Sequence, residues 1–171
     1  MLPGMRIAFG TQLALAAYVL PLVMAGVSDY AGLRIPNRLT GLYAALFPAA
    51  ALLFGHDVDW LSHVAAGLAV LCGGVLLFAC RILGGGDAKL LAATALWTGL
   101  GLLLPFLVLT ALVGGAFALA LMVLRSPFGQ ASLFAVMRRL PDVAKPESPI
   151  PYGIPIAIAG ILLAPSLSFL A

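Results

Sequence analysis

The stretch RILGGGDAKLL, Arg81 to Leu91, places three glycines and an ionisable side chain inside a chain that is 63% hydrophobic. Soluble domains contain about 45–50% apolar residues. The apolar fraction, a charged fraction of 9% and a mean hydropathy of +1.15 therefore predict that this chain lies in a lipid bilayer. An acid is costly there and usually has a function. Asp87 is accordingly the first candidate functional residue.

Long intervals without charge divide the chain into predicted membrane spans, since about 17–25 apolar residues cross the hydrocarbon core. The interval 90–124 would form a helix of about 52 Å if it were continuous, and WTGLGLLLP, Trp97 to Pro105, favours a break within it. The first interval is too long for a removable signal peptide, so we interpret it as a permanent span. The fourth span is short enough to be a half-helix.

The predicted fold class is all-α, a polytopic membrane protein of one domain. Its spans number about six, at 6–28, 39–55, 61–82, 87–99, 102–124 and 150–170.

The basic residues indicate an orientation. If six spans alternate from an outer amino terminus, segments 29–38, 81–89 and 125–149 face the cytoplasm and contain eight of the nine Lys and Arg residues, as positive-inside sorting requires. Only Arg6 lies outside. This predicts both termini outside the cytoplasmic membrane, and it explains the net charge of +3 without a nucleic-acid partner. The loop 125–149 contains SLFAVMRRL, which suits an interfacial amphipathic helix or a solvated linker.

The sequence offers no convincing metal site. HDVDWLSH, His56 to His63, gathers two histidines and two aspartates in a predicted outer loop, but its spacing matches no known ligand set. Cys72 and Cys80 fall on one predicted helix and are expected to be packing residues. We therefore predict no metal and no cofactor.

Two acids lie at the predicted cytoplasmic ends of spans, unlike the acids of the loops. Asp29 ends YVLPLVMAGVSD, where the negative end of a helix macrodipole disfavours it, so another group should hold it. Asp87 follows LCGGVLLFACRILGGG and has two interpretations: an N-cap for a helix that starts at Ala88, or a reactive carboxyl. Three glycines exceed what capping or helix closure needs, and they allow another chain to approach closely.

The two acids become more informative as a pair. The first and third spans both run inward, so Asp29 and Asp87 can face each other at one depth. Two carboxyls a few ångströms apart do not both ionise easily, and one keeps a proton. In aspartyl proteolysis the ionised partner takes a proton from water while the protonated partner polarises the scissile carbonyl. The pair therefore predicts a dyad at the cytoplasmic face.

GGGDAKLL resembles the G-x-G-D signature of intramembrane aspartic peptidases. With SDYAGLRIPNRLT before it and PIPYGIPIAIAG after it, the resemblance is to the type IV prepilin peptidases and covers most of the chain. It implies that Asp29 and Asp87 are the catalytic residues and that Gly84 and Gly86 are the motif glycines. Lys89 matches a basic residue that commonly follows the motif. It either influences the dyad or anchors the chain at the membrane surface.

Four further residues are implied as supporting positions. Pro36 and Asn37 are expected to form a turn and a helix start. Tyr152 and Gly153 open the last span near the depth of the dyad. The resemblance implies that Tyr152 lines the substrate groove. Tyrosines are also common at membrane interfaces because their amphipathic rings favour that depth.

The resemblance is to a short form of the family. Only DYAGLRIPNR separates the first two spans, so the cysteine-paired loop and methylating part of larger members are missing. This implies peptidase activity alone on a prepilin or pseudopilin with a leader and a hydrophobic helix, as in tight-adherence pilus systems. The archaeal preflagellin peptidases have a similar plan. An ion-coupled transporter or assembly factor is a further alternative. Two features argue against it: both acids lie at one face, and no internal repeat is present.

Overall fold

The computed structural model describes residues 3–54, 57–127, 129, 145 and 147–167, with the backbone alone for residues 3–9. All regular structure in these ranges is helical, which confirms the predicted fold class. The helices are α1 (Pro3–Gly32), α2 (Asn37–Phe54), α3 (Trp60–Ala79), α4 (Gly85–Leu124) and α5 (Gly153–Leu163), which a short 3₁₀ turn at Ala164–Ser166 follows. The predicted interfacial helix at 132–140 lies outside the described residues.

Four of these segments are long and apolar enough to cross a membrane: Gly10–Gly32 within α1, and the whole of α2, α3 and α4. Their outward faces carry large apolar side chains such as Leu52 and Leu61, which are 76% and 79% exposed. A lipid environment covers such faces without the cost that water would impose. Within the last predicted span, 150–170, α5 and its 3₁₀ turn cover residues 153–166, and residues 168–170 lie outside the described residues. The total of six crossings stays a prediction.

Two helix ends differ from the predicted span limits. α1 continues past residue 28 to Gly32, so Asp29 lies in its last turn and the backbone carbonyl of Asp29 accepts a hydrogen bond from Leu33 N at 2.9 Å. α3 ends at Ala79 rather than at residue 82. Leu33 and Arg81 both adopt left-handed backbone angles, with φ of 51° and 59°. A left-handed residue after a helix ends it by turning the chain away.

The predicted break in the 90–124 interval is present at Gly99, where φ is 65° and ψ is 179°. In a continuous helix the amide of Leu100 would bond to the carbonyl of Leu96. Here α3 provides a partner for each group. His63 Nδ1 donates to the Leu96 carbonyl at 2.8 Å, and Leu100 N donates to Ser62 Oγ at 2.9 Å. We call these two residues the Ser62–His63 clamp, and it meets the requirement that backbone polar groups within a membrane be satisfied internally.

The chain reverses its direction at the Gly99 break. A continuous helix would separate Asp87 from Gly114 by about 40 Å. Instead, both lie near Tyr152: Asp87 and Tyr152 line one cavity, and a Cβ placed on Gly114 would be 3.2 Å from the Tyr152 ring. Arg125, just after α4, donates to the carbonyl of Pro149, which lines the same cavity. Residues 85–98 therefore run away from this cavity. Residues 100–124 run back to it.

An aromatic cluster fixes the relative depth of the helices. Trp97 of α4 stacks on Tyr43 of α2 with ring centroids 5.6 Å apart, and Tyr18 of α1 lies 5.3 Å from Trp97. Trp97 Nε1 donates to the Tyr43 carbonyl at 3.0 Å, and the Tyr18 hydroxyl donates to the Gly160 carbonyl of α5 at 2.9 Å. Four helices are thus held in register, which in turn positions the residues at their ends.

Candidate active site

Asp29 and Asp87 lie at the same end of the helix bundle, which we call the dyad end. Asp29 is in the last turn of α1 and Asp87 is in the first turn of α4. Both line two adjoining cavities of about 530 and 510 Å³, and their carboxyl groups are close enough to interact electrostatically. The fold thus brings together two acids that are far apart in the sequence.

The group that holds Asp29 is the amino-terminal end of α5. Asp29 is only 4% exposed, and its Oδ2 accepts a hydrogen bond from Gly153 N at 2.7 Å. The positive end of the α5 macrodipole thereby offsets the negative end of α1 at the same carboxylate. Gly153 leaves room for this contact, because a Cβ there would lie 2.8 Å from both Asp29 Oδ2 and Ile35 Cδ1. The sequence predicted a partner for Asp29 without identifying it.

Asp87 has a different position from the N-cap that one interpretation gave it. α4 starts at Gly85 with Gly84 as its N-cap, so that interpretation is wrong in detail. The Asp87 carboxyl instead reaches back to accept a hydrogen bond from the backbone of Gly84, as acidic residues do in a first helical turn. Asp87 therefore satisfies a helix-end amide and lines the same cavities as Asp29 at the same time.

Gly84 and Gly86 have to be small because neighbouring atoms occupy the space beside them. They do not serve to end α3. A Cβ on Gly84 would lie 2.6 Å from Asp87 Oδ2, and a Cβ on Gly86 would lie 3.2 Å from Ile35 Cβ. α3 has already ended at Ala79, so these glycines belong to the start of α4. Their small size lets the α1–α2 connection and the Asp87 carboxyl pack directly against the backbone.

Pro36, Asn37 and Lys89 form a neighbouring group. The Pro36 carbonyl accepts from the amide of Leu39 at 3.0 Å, and α2 begins at Asn37, which confirms the predicted helix start. Lys89 Nζ donates to Asn37 Oδ1 at 2.9 Å. Pro36 and Asn37 line the larger dyad cavity, whereas Lys89 lines neither dyad cavity. Lys89 thus contacts the start of α2, one layer away from the acids.

Tyr152 lines the smaller dyad cavity together with both acids. The structure therefore gathers at one end every residue that the sequence singled out: Asp29, Pro36, Asn37, Gly84, Gly86, Asp87, Lys89, Tyr152 and Gly153.

Three further residues at the dyad end were missed by the sequence analysis. Leu33 and Arg81, the two left-handed residues that end α1 and α3, line the smaller cavity. Ile35 is 8% exposed and packs against Gly86 and Gly153. Left-handed positions are usually occupied by glycine, so a leucine and an arginine there gave no local signal. The strain of such residues is often retained near functional sites.

His63, which belongs to the histidine-containing segment HDVDWLSH, has a structural role in α3. His63 donates to the carbonyl of Leu96 as part of the Ser62–His63 clamp, and His56 lies outside the described residues. Within the part of the chain that the structure describes, no three His, Cys, Asp or Glu side chains are grouped so as to hold a metal ion.

The fold and this site define an all-helical membrane protein in which two acids line the same two cavities where helix ends converge. The model of the type IV leader peptidase family matches residues 16–119, more than half of the chain, and the chain belongs to that family. As a member of a peptidase family it is a hydrolase. The matched segment includes both acids and ends before Tyr152 and Gly153. No curated protein and no solved structure matches the chain significantly.

Proposed function

We propose that this chain is a membrane-embedded aspartic endopeptidase that removes the short leader peptide from type IV prepilins. We assign its substrate to the tight-adherence kind and its active site to the cytoplasmic face of the inner membrane. The observation that carries the proposal is that Asp29 and Asp87 line the same two cavities, in a chain of the type IV leader peptidase family.

The reaction needs one proton between the two carboxyls. The ionised carboxyl takes a proton from water as the water oxygen attacks the scissile carbonyl carbon, and the protonated carboxyl gives its proton to the carbonyl oxygen. The resulting diol collapses when a proton passes to the leaving nitrogen and the C–N bond breaks. The two acids titrate as one unit, so the roles belong to the pair.

The surroundings of the acids suit this chemistry. Asp29 receives one backbone N–H from Gly153, and Asp87 receives one from Gly84. These amides orient the carboxyls while leaving other oxygen lone pairs for water and substrate. Preorganised hydrogen bonds of this kind avoid reorganisation during the reaction.

The position of the acids at helix ends suggests where a substrate is cut. A helical peptide hides its carbonyls, so the scissile bond must lie in unwound chain, between a polar leader and an apolar helix. A small residue such as glycine before the cut favours unwinding. Gly84 and Gly86 line the larger dyad cavity beside Asp87, where the backbone of such a segment would lie.

The short α1–α2 connection supports cleavage without methylation. Only residues 33–36 separate α1 from α2, and Ser28 Oγ donates to the Arg34 carbonyl at 2.8 Å across this turn. The connection has no room for an inserted methylating domain. We therefore expect an unmethylated new amino terminus, which mass spectrometry of the cleaved prepilin will show.

The test of the function is replacement of each acid by its amide. We expect Asp29→Asn and Asp87→Asn each to abolish cleavage of a co-expressed prepilin, because an amide neither accepts the proton of water nor shares one with its partner. Asp57→Asn and Asp59→Asn change acids that line a different cavity, beside the Gly99 break in α4, and these variants should cleave normally. Turnover by either dyad variant, with normal membrane insertion, would refute the mechanism.

A further inference from the structure

A lateral groove of about 470 Å³ lies between α2 and α3, with α4 as its floor. α2 and α3 each pack on α4 but make few contacts with one another among the described residues, so the groove is open on the membrane side. Small or aliphatic side chains form most of its surface. They include Gly41 and Ala44 of α2, Gly67 and Leu68 of α3, and Ala92, Ala93 and Leu96 of α4. Small residues on membrane helices allow another helix to approach closely.

The groove adjoins the larger dyad cavity. Asn37 lines both spaces. From Asn37 and Lys89 the groove extends along α4 to Leu96, away from the acids and over about 10 Å. A peptide that passes the acids can therefore continue into the groove without crossing a helix.

The end of the groove nearest the acids is positively charged. Lys89 lines it, and the Lys89 ammonium donates to the neutral side-chain oxygen of Asn37 at 2.9 Å. No carboxylate of the described residues lies within ion-pair distance of Lys89. A charge at the margin of an apolar space is weakly screened. This end therefore suits a ligand that carries an acid where it enters the groove.

We propose that this groove binds the apolar helix of the peptide substrate, on the carboxyl-terminal side of the cut, and that Lys89 pairs with an acidic side chain near the start of that helix. The proposal rests on the proposed function for its substrate. Continuity with the dyad cavity favours a peptide over a phospholipid, since a lipid has no need of a route to the acids.

The first test fills the groove. Gly41 and Gly115 are both exposed helical glycines with open space where a side chain would project, and only Gly41 lines the groove. We expect Gly41→Leu to raise the KM for a full-length prepilin by about 10-fold, equivalent to about 1.4 kcal/mol of binding, and to change kcat little. Gly115→Leu should behave as wild type. Equal KM values for the two variants would overturn the proposal.

The second test detects binding without requiring cleavage. A photoreactive group on Leu68→Cys, in an Asp29→Asn background without the native cysteines, should cross-link to the apolar helix of a prepilin in phosphatidylglycerol vesicles. The same group on Gly115→Cys should not. Cross-linking supports the groove even if the unsubstituted enzyme fails to cleave, which separates this inference from the proposed function. Cross-linking to phosphatidylglycerol alone, with prepilin in excess, would show a lipid site and refute the proposal.

The third test examines the charge. Model prepilins that carry a single glutamate at successive positions in the first two turns of the helix should differ in kcat/KM. We expect one position to be preferred by about 10-fold, a magnitude typical of a charge-assisted hydrogen bond. Lys89→Gln should remove this preference and Lys89→Arg should retain part of it. A preference that survives in Lys89→Gln, or no preference in the unsubstituted enzyme, would exclude the pairing.

Discussion

Gly153→Ala tests whether the amino-terminal end of α5 positions the Asp29 carboxyl. The added methyl group would lie 2.8 Å from Ile35 Cδ1, whereas apolar carbon atoms pack best at about 3.5–4.0 Å, so the overlap is roughly 0.7–1.2 Å. It would also lie 2.8 Å from Asp29 Oδ2, the atom that accepts the Gly153 amide. Rotation of the Ile35 side chain can relieve the first contact, but relief of the second has to displace the Asp29 carboxyl or α5 itself.

The magnitude follows from this displacement. Overpacking of a buried site costs about 1–3 kcal/mol of stability, which a membrane protein that still inserts can tolerate. Misplacement of a reacting group by about 1 Å lowers the rate on the order of 10²-fold. We therefore expect kcat for prepilin cleavage to fall by about 10²-fold, with folded protein still recovered.

The assay is the single-turnover cleavage rate at saturating prepilin, with thermal unfolding measured in parallel. Gly26→Ala is the matched control, since it also adds a methyl group between α1 and α5 but at an ordinary distance of 3.6 Å from Ala157 Cβ. We expect it to retain the full rate. A full rate in Gly153→Ala, or an equal loss in the two variants, would show that the α5 amide does not position Asp29 for the reaction.

Three other outcomes are expected. Ser62→Ala and His63→Ala should each lower the free energy of unfolding by about 0.5–1.5 kcal/mol, because each removes a hydrogen bond to the backbone at the Gly99 break; unchanged thermal unfolding in micelles would argue against the clamp. Single cysteines at Asp57 and Ser132, in a background without the native cysteines, should label from opposite sides of the membrane, and same-side labelling would contradict the six-span topology. Chelators should leave the cleavage rate unchanged, since a shared proton activates water without a metal, and a loss of rate that zinc restores would disprove this.

The sequence was sufficient to predict the helices and the two acids because both signals are local. An uncharged interval long enough to cross a bilayer has few alternatives to a helix, and an acid at the end of such an interval is conspicuous. The break near Gly99 was also predictable, because glycines and a proline interrupt an interval too long for one span.

The contacts that assemble the site were not predictable in the same way. The amide that holds Asp29 comes from a residue 124 positions away, and no local pattern indicates that distance. The three glycines fit equally well as the end of α3 or the start of α4, and only the left-handed conformation of Arg81 decides that α3 ends earlier. The sequence did not indicate the role of His63 either, because its partner, the Leu96 carbonyl, is freed by a break in another helix.

The reversal at Gly99 also bears on where the acids lie in the membrane. α3 and residues 85–98 run side by side, with Gly74 beside Ala88 and Gly67 beside Leu96. The twenty residues of α3 extend about 30 Å, close to the thickness of the hydrocarbon core, whereas residues 85–98 extend only about 21 Å. By length, we therefore expect one end of this shorter segment to lie below the membrane surface. A cavity of about 560 Å³, lined in part by two acids and by the clamp, lies at the Gly99 break and offers polar groups to water at that depth. A shortfall accommodated there supports the proposal that the dyad end lies at the opposite interface, within reach of water and of a polar leader peptide.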